Sequence, residues 1–356
     1  MLMRLDPDRI ADAALRLLAA LTTLAFASFT LILFAGTWTA QAEAVCTGDD
    51  LLAIMERDDP AAYARLLDAS AATVNGEAML WRIEAPGGAV SHLYGTMHVT
   101  DPRIVELDAK ASAAFDASET LVIETTDILD PAAIMATMAA HPELMMFTDA
   151  TTLSSLLGDA DRERIEAAMN ERGLSLGAVD KMKPWMIAAM ATLPTCELAR
   201  KSAGAEILDV ALATRAKAAG IEIEGLETTA EQLGAMAALP LDFHMRALVE
   251  TIALGETIDD VIETMVVIHA RGEPGLFWPF FEAALPGDAE DGIAIAGFEQ
   301  SVIVDRNRTM AERMAPMLDA GGAFVAIGAL HLPGEEGVVA LLQEAGYSAT
   351  PLPSGD

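Results

Sequence analysis

Basic residues are scarce in this sequence: 22 Lys and Arg face 54 Asp and Glu, giving a formal net charge of −32 over 356 residues. Such a surface repels nucleic acid and anionic membranes, both of which are held by basic patches, and it tolerates cationic partners or divalent ions. A nucleic-acid partner is excluded on that ground. Aromatic side chains amount to only 5%, so the core leans on Leu, Ile, Val, Met and Ala, a mixture that favours helix over sheet. Just two cysteines occur, Cys46 and Cys196. The chain has no Gly-x-Ser-x-Gly elbow, no His-Glu-x-x-His helix, no phosphate-binding loop and no dinucleotide glycine fingerprint. No repeat of solenoid length and no low-complexity linker divides it, and a hydrophobic fraction of 53% marks it as globular.

One long uncharged run is present. No charged residue occurs from Leu17 to Ala42, and Thr39-Ala40-Gln41-Ala42 reads as a cleavage site before Glu43. The run is also just long enough to span a bilayer. Ahead of it, Arg4, Arg9 and Arg16 are balanced by Asp6, Asp8 and Asp12. Residues 1–42 are therefore a cleaved signal peptide or an N-terminal membrane anchor, with membrane contact through that segment alone. Either one delivers residues 43–356 to the far side of the membrane, periplasmic or tethered. A buried core helix fits poorly because the run has no polar face. The bulky Val45 before Cys46 argues against a lipoprotein cleavage site. In an oxidising compartment a Cys46–Cys196 disulfide is the default expectation, set against two buried free thiols.

The exported part alternates strands and helices at both ends. Met79–Ile83 and Val90–Met97 read as a hairpin around Ala85-Pro86-Gly87-Gly88. A helix is expected from Asp101-Pro102 to about Ala117, then a short buried strand at Leu121–Glu124. The stretch from about 150 to 285 is mainly helical, with a strand at Ile221–Leu226 after a helix closed by Gly220. A helix from about Gln300 to Leu318 precedes the apolar strand Ala323–Ile327. Leu332-Pro333-Gly334 is expected to open a last helix, and Tyr347 to Leu352 to form a terminal strand. This pattern predicts an α/β fold: a mixed, mostly parallel sheet flanked by helices, with the helical middle as an insertion or cap.

Two segments match each other: Leu93-Tyr94-Gly95-Thr96-Met97-His98 and Ala326-Ile327-Gly328-Ala329-Leu330-His331. Each is an apolar strand, then Gly-x-x-His, then a proline-containing turn. Gly95 and Gly328 permit a bend or a close backbone approach that a side chain would block. The His three residues later sits at the strand exit, on the carboxyl edge where α/β sheets bind ligands. Histidine serves there as metal ligand or general base. One Gly-x-x-His is weak evidence; two in matched contexts suggest a shared site.

Glu124 at a strand exit can supply an oxygen ligand or a base. Glu227 is placed similarly, but a first-turn acid stabilised by the helix dipole is the preferred reading for it. Arg306 can stabilise developing negative charge and Asn307 can orient a water or a carbonyl, the structural alternative for Arg306 being a surface ion pair with Asp305 or Glu299. His92 reads as solvent-facing, His141 sits in a loop, and His244 and His269 lie on helices without a partner at ligand spacing. The aromatics Phe277-Trp278-Pro279-Phe280-Phe281 read as core more than as a substrate groove.

With these motifs the chain resembles the TraB/GumN family, which includes the Tiki metalloproteases. The likeness extends through Leu80-Trp81-Arg82-Ile83, Asp101-Pro102-Arg103, Lys183-Pro184-Trp185, Gly225-Leu226-Glu227-Thr228 with Gln232-Leu233, Asp305-Arg306-Asn307 and His331-Leu332-Pro333-Gly334. It implies a divalent-metal-dependent hydrolase acting on peptide or protein substrates, with Mn²⁺ or Co²⁺ favoured over Zn²⁺. Carried onto this chain, His98, Glu124 and His331 form the metal site, and Glu124, Arg306 and Asn307 are the catalytic and supporting polar groups. The alternative is a non-catalytic periplasmic protein that holds a peptide or a metal in the same crevice.

Overall fold

The computed structural model describes residues 45–255, 257–284 and 297–353. The expected signal peptide or anchor, residues 1–42, lies outside the described residues. Among the described residues, no helix is long and apolar enough to cross a membrane.

Six strands form one sheet. β1 (Leu80–Glu84) and β2 (Val90–Thr96) make the expected antiparallel hairpin. β3 (Thr120–Ile123), β4 (Glu222–Gly225), β5 (Ala323–Gly328) and β6 (Ser348–Pro351) follow. The order across the sheet is β4-β3-β5-β2-β1-β6. β2, β5, β3 and β4 pair in parallel, and β1 runs against both of its neighbours. The α/β, mostly parallel architecture is as expected.

The unbroken apolar run Ala323-Phe324-Val325-Ala326-Ile327 explains why β5 is central: a strand covered on both faces has no polar side. Phe324 and Ala326 pack with Tyr94, Leu121 and Ile123 against the helices Leu208–Ala219 and Thr257–Arg271. Val325 and Ile327 face the other way, onto Trp81, Leu93 and the Met310, Met314 and Leu318 stripe of the helix Asp305–Ala320. The helical middle has a core of its own around Leu153, Ile165, Met169, Ile187 and Leu248. β4, which lies within that stretch, belongs to the main sheet as an edge strand.

Three local expectations change. The helix expected from Pro102 to Ala117 is two helices, Pro102–Val105 and Ala109–Asp116, because Glu106 is extended and the Asp108 side chain caps a new start by accepting from the Ala111 N–H. Leu332-Pro333-Gly334 forms a turn rather than a helix start. Gly334 has φ of 101°, and the last helix begins only at Val338. The helix expected from Gln300 opens with a π-helical turn, Glu299–Val304, before Asp305–Ala320, and such turns recur where side chains must be re-aimed at a site.

Cys46 and Cys196 are joined in a disulfide across 150 residues of sequence, as expected. It pins the first described residues to the helix Thr195–Ser202. Backbone amides of Asp49 and Leu51 dock the same segment on Asp260 and Thr264 of the helix Thr257–Arg271.

The strand order positions the site. After β3 the chain moves outward to β4, and after β5 it moves the opposite way, past β2 and β1, to β6. The carboxyl ends of β3 and β5 therefore part at a topological switch point, where α/β sheets open a crevice.

Candidate active site at the carboxyl edge of the sheet

Glu124 follows β3, and His331 ends the short turn Ala329–His331 after β5. Register brings them side by side, since Ile123 pairs with Ala326 on β5. Gly328 lies between them. An added Cβ at Gly328 would stand 3.1 Å from Glu124 Oε1 and 3.3 Å from His331 Cδ2, so a methyl there would make both groups give by a few tenths of an ångström. The Gly328 N–H donates to Glu124 Oε1 at 2.7 Å. On the other side of β5, Thr96 of β2 pairs with Gly328, which carries the first motif to the same edge. The two Gly-x-x-His strand ends therefore lie on neighbouring parallel strands at one edge of the sheet.

Arg306 binds two carboxylates at once. Its Nη2 donates to Glu124 Oε2 and to Glu227 Oε2, each at 2.7 Å, and its Nε reaches both Glu227 oxygens at 3.1 Å. The alternative partners Asp305 and Glu299 are not the ones it takes: Asp305 pairs with Arg308 and Gln300. Gln232 adds a second donor to Glu124 Oε2 at 2.9 Å. Glu227 is buried and is not a helix cap, because Thr228 and Glu231 form a reciprocal capping box at that helix start. Its place in the ion triad therefore replaces the first-turn reading preferred from sequence.

Asn307, also buried, accepts from His331 Nδ1 through its Oδ1 at 2.6 Å and donates through Nδ2 to the Glu336 carbonyl at 2.8 Å. Arg306 and Asn307 thus position Glu124 and His331 from behind. Burial opposes charge on Glu124, yet His331, Arg306, His98 and the Gly328 amide hold its carboxyl down at about 2. Burial pushes the His331 imidazole down to about 4; Glu124 opposes this, while Arg306 and His98 add to it. Near neutrality the crevice therefore holds an ionised carboxylate beside a neutral imidazole.

His98 is placed differently. Its side chain is 54% exposed, and its Nε2 lies 3.7 Å from Oδ2 of Asp209, a buried residue of the helix Leu208–Ala219. Burial works against the imidazolium, but Asp209 and then Glu124 raise its pKa above the usual range. Thr96 Oγ1 donates to the other Asp209 oxygen at 3.3 Å. The turn after His98 is clamped by buried Glu197, which accepts from the Thr100 N–H at 2.9 Å and from its hydroxyl. Glu197 is the neighbour of Cys196, so the disulfide braces the helix that holds this turn. Buried His269 donates from Nε2 to the Gly95 carbonyl at 2.9 Å, which fixes the end of β2 from the opposite side.

Among the described residues, no three His, Cys, Asp or Glu side chains are grouped closely enough to hold an ion as they stand. These side chains stand instead as two separate pairs: Glu124 with His331 about Gly328, and His98 with Asp209.

Sequence reasoning missed Asp209, Glu197 and His269. Asp209 had a readable signal, because it shares the apolar stripe of Leu212, Ala213 and Ala216 on its helix. His269 had none, since its partner is a backbone carbonyl 174 residues away, and the Thr100 contacts that give Glu197 its place in the site span 97 residues.

The two glycines give a paired prediction. A Cβ at Gly95 would meet Leu332 Cδ1 at 2.9 Å, and Ala329 Cα and Met79 Sδ at 3.0 Å. Gly95→Ala should cost about 1–3 kcal/mol of overpacking strain. Gly328→Ala meets only movable side chains, and its φ of −52° suits any residue. It should cost less stability but shift the His331 ring resonances. Denaturant melts and histidine NMR check both, and the reverse ranking would contradict this account.

A switch-point crevice with two strand-end Gly-x-x-His turns and a buried Glu defines an α/β protein with a carboxyl-edge His/Glu site. The chain belongs to the TraB/PrgY/gumN family, whose model matches residues 79–351, from the residue before β1 to the last residue of β6. No curated protein and no solved structure matches it.

Proposed function

We propose that the chain is an exported, divalent-metal-dependent hydrolase of peptide or protein substrates, with Mn²⁺ or Co²⁺ favoured over Zn²⁺. One observation carries the reading: Glu124 and His331 meet across Gly328 at the switch point, with His98 brought to the same edge by the neighbouring strand. The side chains do not close round an ion as they stand, and binding would have to displace the proton that Asp209 and Glu124 hold on His98, but the donor types are those that bind divalent ions. His331 is a neutral imidazole with Nδ1 engaged by Asn307, which leaves Nε2 free to bind; Glu124 is ionised; and Gly328 keeps the space between them clear. His98, Glu124 and His331 would hold the ion. When bound, it would supply a nucleophilic water near neutral pH and polarise the scissile carbonyl.

The chain's own residues do the remaining work. Arg306 keeps Glu124 ionised and fixed, and because its Nε and Nη2 are committed to carboxylates and its Nη1 donates to the Val302 carbonyl it is a positioning residue rather than a group facing substrate. Asn307 sets the His331 tautomer and ring orientation. Export is supported by the uncharged run of residues 17–42, and an oxidising compartment by the Cys46–Cys196 disulfide.

A second reading has one specific observation behind it. Both Glu124 oxygens already accept hydrogen bonds, from Gly328, Gln232 and Arg306, as in a crevice built to hold a ligand without turning it over. The test separates the two. The full chain is incubated with unfolded protein and peptide mixtures in Mn²⁺ or Co²⁺, and products are read by mass spectrometry. Cleavage should stop in EDTA, and His98→Ala or His331→Ala should lower kcat/KM at least ~10³-fold while the fold is kept. Peptide retention without cleavage would replace the hydrolase by the binding protein. Cleavage that persists in EDTA would remove the metal from the account.

A further inference from the structure

The helix Thr195–Ser202 gives no apolar side chain to a buried core. Its one buried side chain is the Glu197 carboxylate. A helix of eight residues is not stable by itself in water, so its place depends on what grips it. Three of its side chains reach the turn after β2. Glu197 accepts from the Thr100 N–H at 2.9 Å, Arg200 donates to Asp101 Oδ2 at 3.4 Å, and Lys201 donates to the His98 carbonyl at 3.4 Å. A further grip is covalent: Cys196, next to Glu197, is bonded to Cys46.

The Cys46 end of that bond is a firm post. Gly48 packs so closely on the Asp259 backbone that an added Cβ would overlap it, and Leu52 is fully buried. Together with the amides of Asp49 and Leu51 on Asp260 and Thr264, these contacts seat the segment without the disulfide. Breaking the bond therefore leaves the post in place and takes the covalent anchor from the helix. The turn after β2 is held from its other side by Val99 and Ile104, packed on Val266, which keeps the strand end seated. The Thr100 amide and the His98 carbonyl look to the helix instead. Both cysteines are partly exposed, and a small cavity beside Cys46 lies among Val99, Pro194 and Glu197, which leaves the bond within reach of a thiolate.

We propose that the Cys46–Cys196 disulfide is a redox control on the His98 side of the crevice. Closed, it holds the helix Thr195–Ser202 against the turn that carries His98. Reduced, it frees helix and turn together while the sheet stays folded. The step is thiol–disulfide exchange with a dithiol reductant. A thiolate of the reductant attacks one sulfur and displaces the other cysteine. The reductant's second thiol then attacks the mixed disulfide and releases the first cysteine. The chain gains two electrons and two protons as two thiols, and the reductant leaves as a disulfide. This control goes beyond the hydrolase reading and holds whatever the crevice binds.

The test compares the full chain before and after reduction by dithiothreitol. Amides of residues 97–101 and 195–202 should exchange hydrogen at least about tenfold faster in the reduced chain, and the His98 ring resonances should move with them. A disulfide that acts only by restricting the unfolded chain gives another pattern: the slowest amides, in β5, speed up, and residues 97–101 do not. If residues 97–101 keep their rate, or the His98 ring signals stay where they are, the proposal is overturned, even where the helix itself loosens. A reduced chain that no longer unfolds cooperatively also overturns it, because the bond is then a staple of the whole fold. Glu197→Ala tests the route through the helix. In the oxidised chain it should speed exchange at residues 97–101 as reduction does, and reduction should then add less than about twofold there. A full further increase overturns the link from disulfide to turn. Should that variant not fold, the wild-type comparison decides alone.

Discussion

Replacing Arg306 with methionine is expected to cost about 3–5 kcal/mol of stability, the usual loss when one side of a buried ion pair is removed. The reason is geometric. The Glu124 and Glu227 side chains are only 7% and 2% exposed, and Arg306 is the cation that bridges them. Without it, two buried carboxylates face each other with Gln232 as the donor left between them. Arg306→Lys should fall between methionine and wild type, since a lysine ammonium is a point donor and cannot serve both acids with a fixed fork. The double variant Arg306→Met/Glu227→Gln should recover a measurable part of the loss, because one of the two stranded charges is gone. Urea denaturation near neutrality gives the ranking. A loss below about 1 kcal/mol for Arg306→Met would mean that the triad behaves as a solvated surface pair, despite its burial.

The parts of this site that were legible in the sequence are those whose meaning is local. The apolar runs through Gly95 and Gly328 name their own strands, the glycines mark close approach, and the histidines fall three residues later, just past the strand ends. Glu124 was legible for the same reason, as a carboxylate ending a run too apolar to be anything but a buried strand. Glu227 was misread because its local context offers a cheaper explanation: an acid just before Thr228 and Glu231 looks like part of a helix start. The structure shows that Thr228 and Glu231 need no help, which frees Glu227 to turn towards Arg306. Asp209 could be read as buried from the apolar stripe of its helix, but not as a partner of His98, which stands 111 residues earlier and is brought to it by topology. The break between Pro102–Val105 and Ala109–Asp116 was a failure of a different kind. Both halves carry helix-forming residues, and only the extended Glu106 and the Asp108 cap, two features of the backbone path, separate them.

Asn307 sets the chemistry of His331, and its replacement should show this. Its amide is not free to flip, because Nδ2 faces the Glu336 carbonyl, which can only accept. Oδ1 must then accept from His331, so Nδ1 carries the proton and Nε2 is left with a lone pair. With the ring held down at about 4 by burial, this neutral tautomer should persist from neutrality well into the acid range. Nitrogen-15 NMR of labelled His331 should show an Nδ1-protonated ring. Below its ordinary value of 6.5 the unfolded chain takes up a proton that the folded ring refuses, so stability falls with pH between 6.5 and about 4. Asn307→Leu strands the Nδ1–H and the Glu336 carbonyl, at about 1–3 kcal/mol for each unsatisfied group. Asn307→Asp puts a carboxylate in place of the amide oxygen and should raise the His331 pKa towards neutrality, charging the ring and removing the Nε2 lone pair. Co²⁺ affinity should fall about 10–100-fold in Asn307→Leu, and further in Asn307→Asp as pH is lowered. An Asn307→Leu protein that keeps the wild-type His331 tautomer and wild-type Co²⁺ affinity would reduce Asn307 to a packing residue.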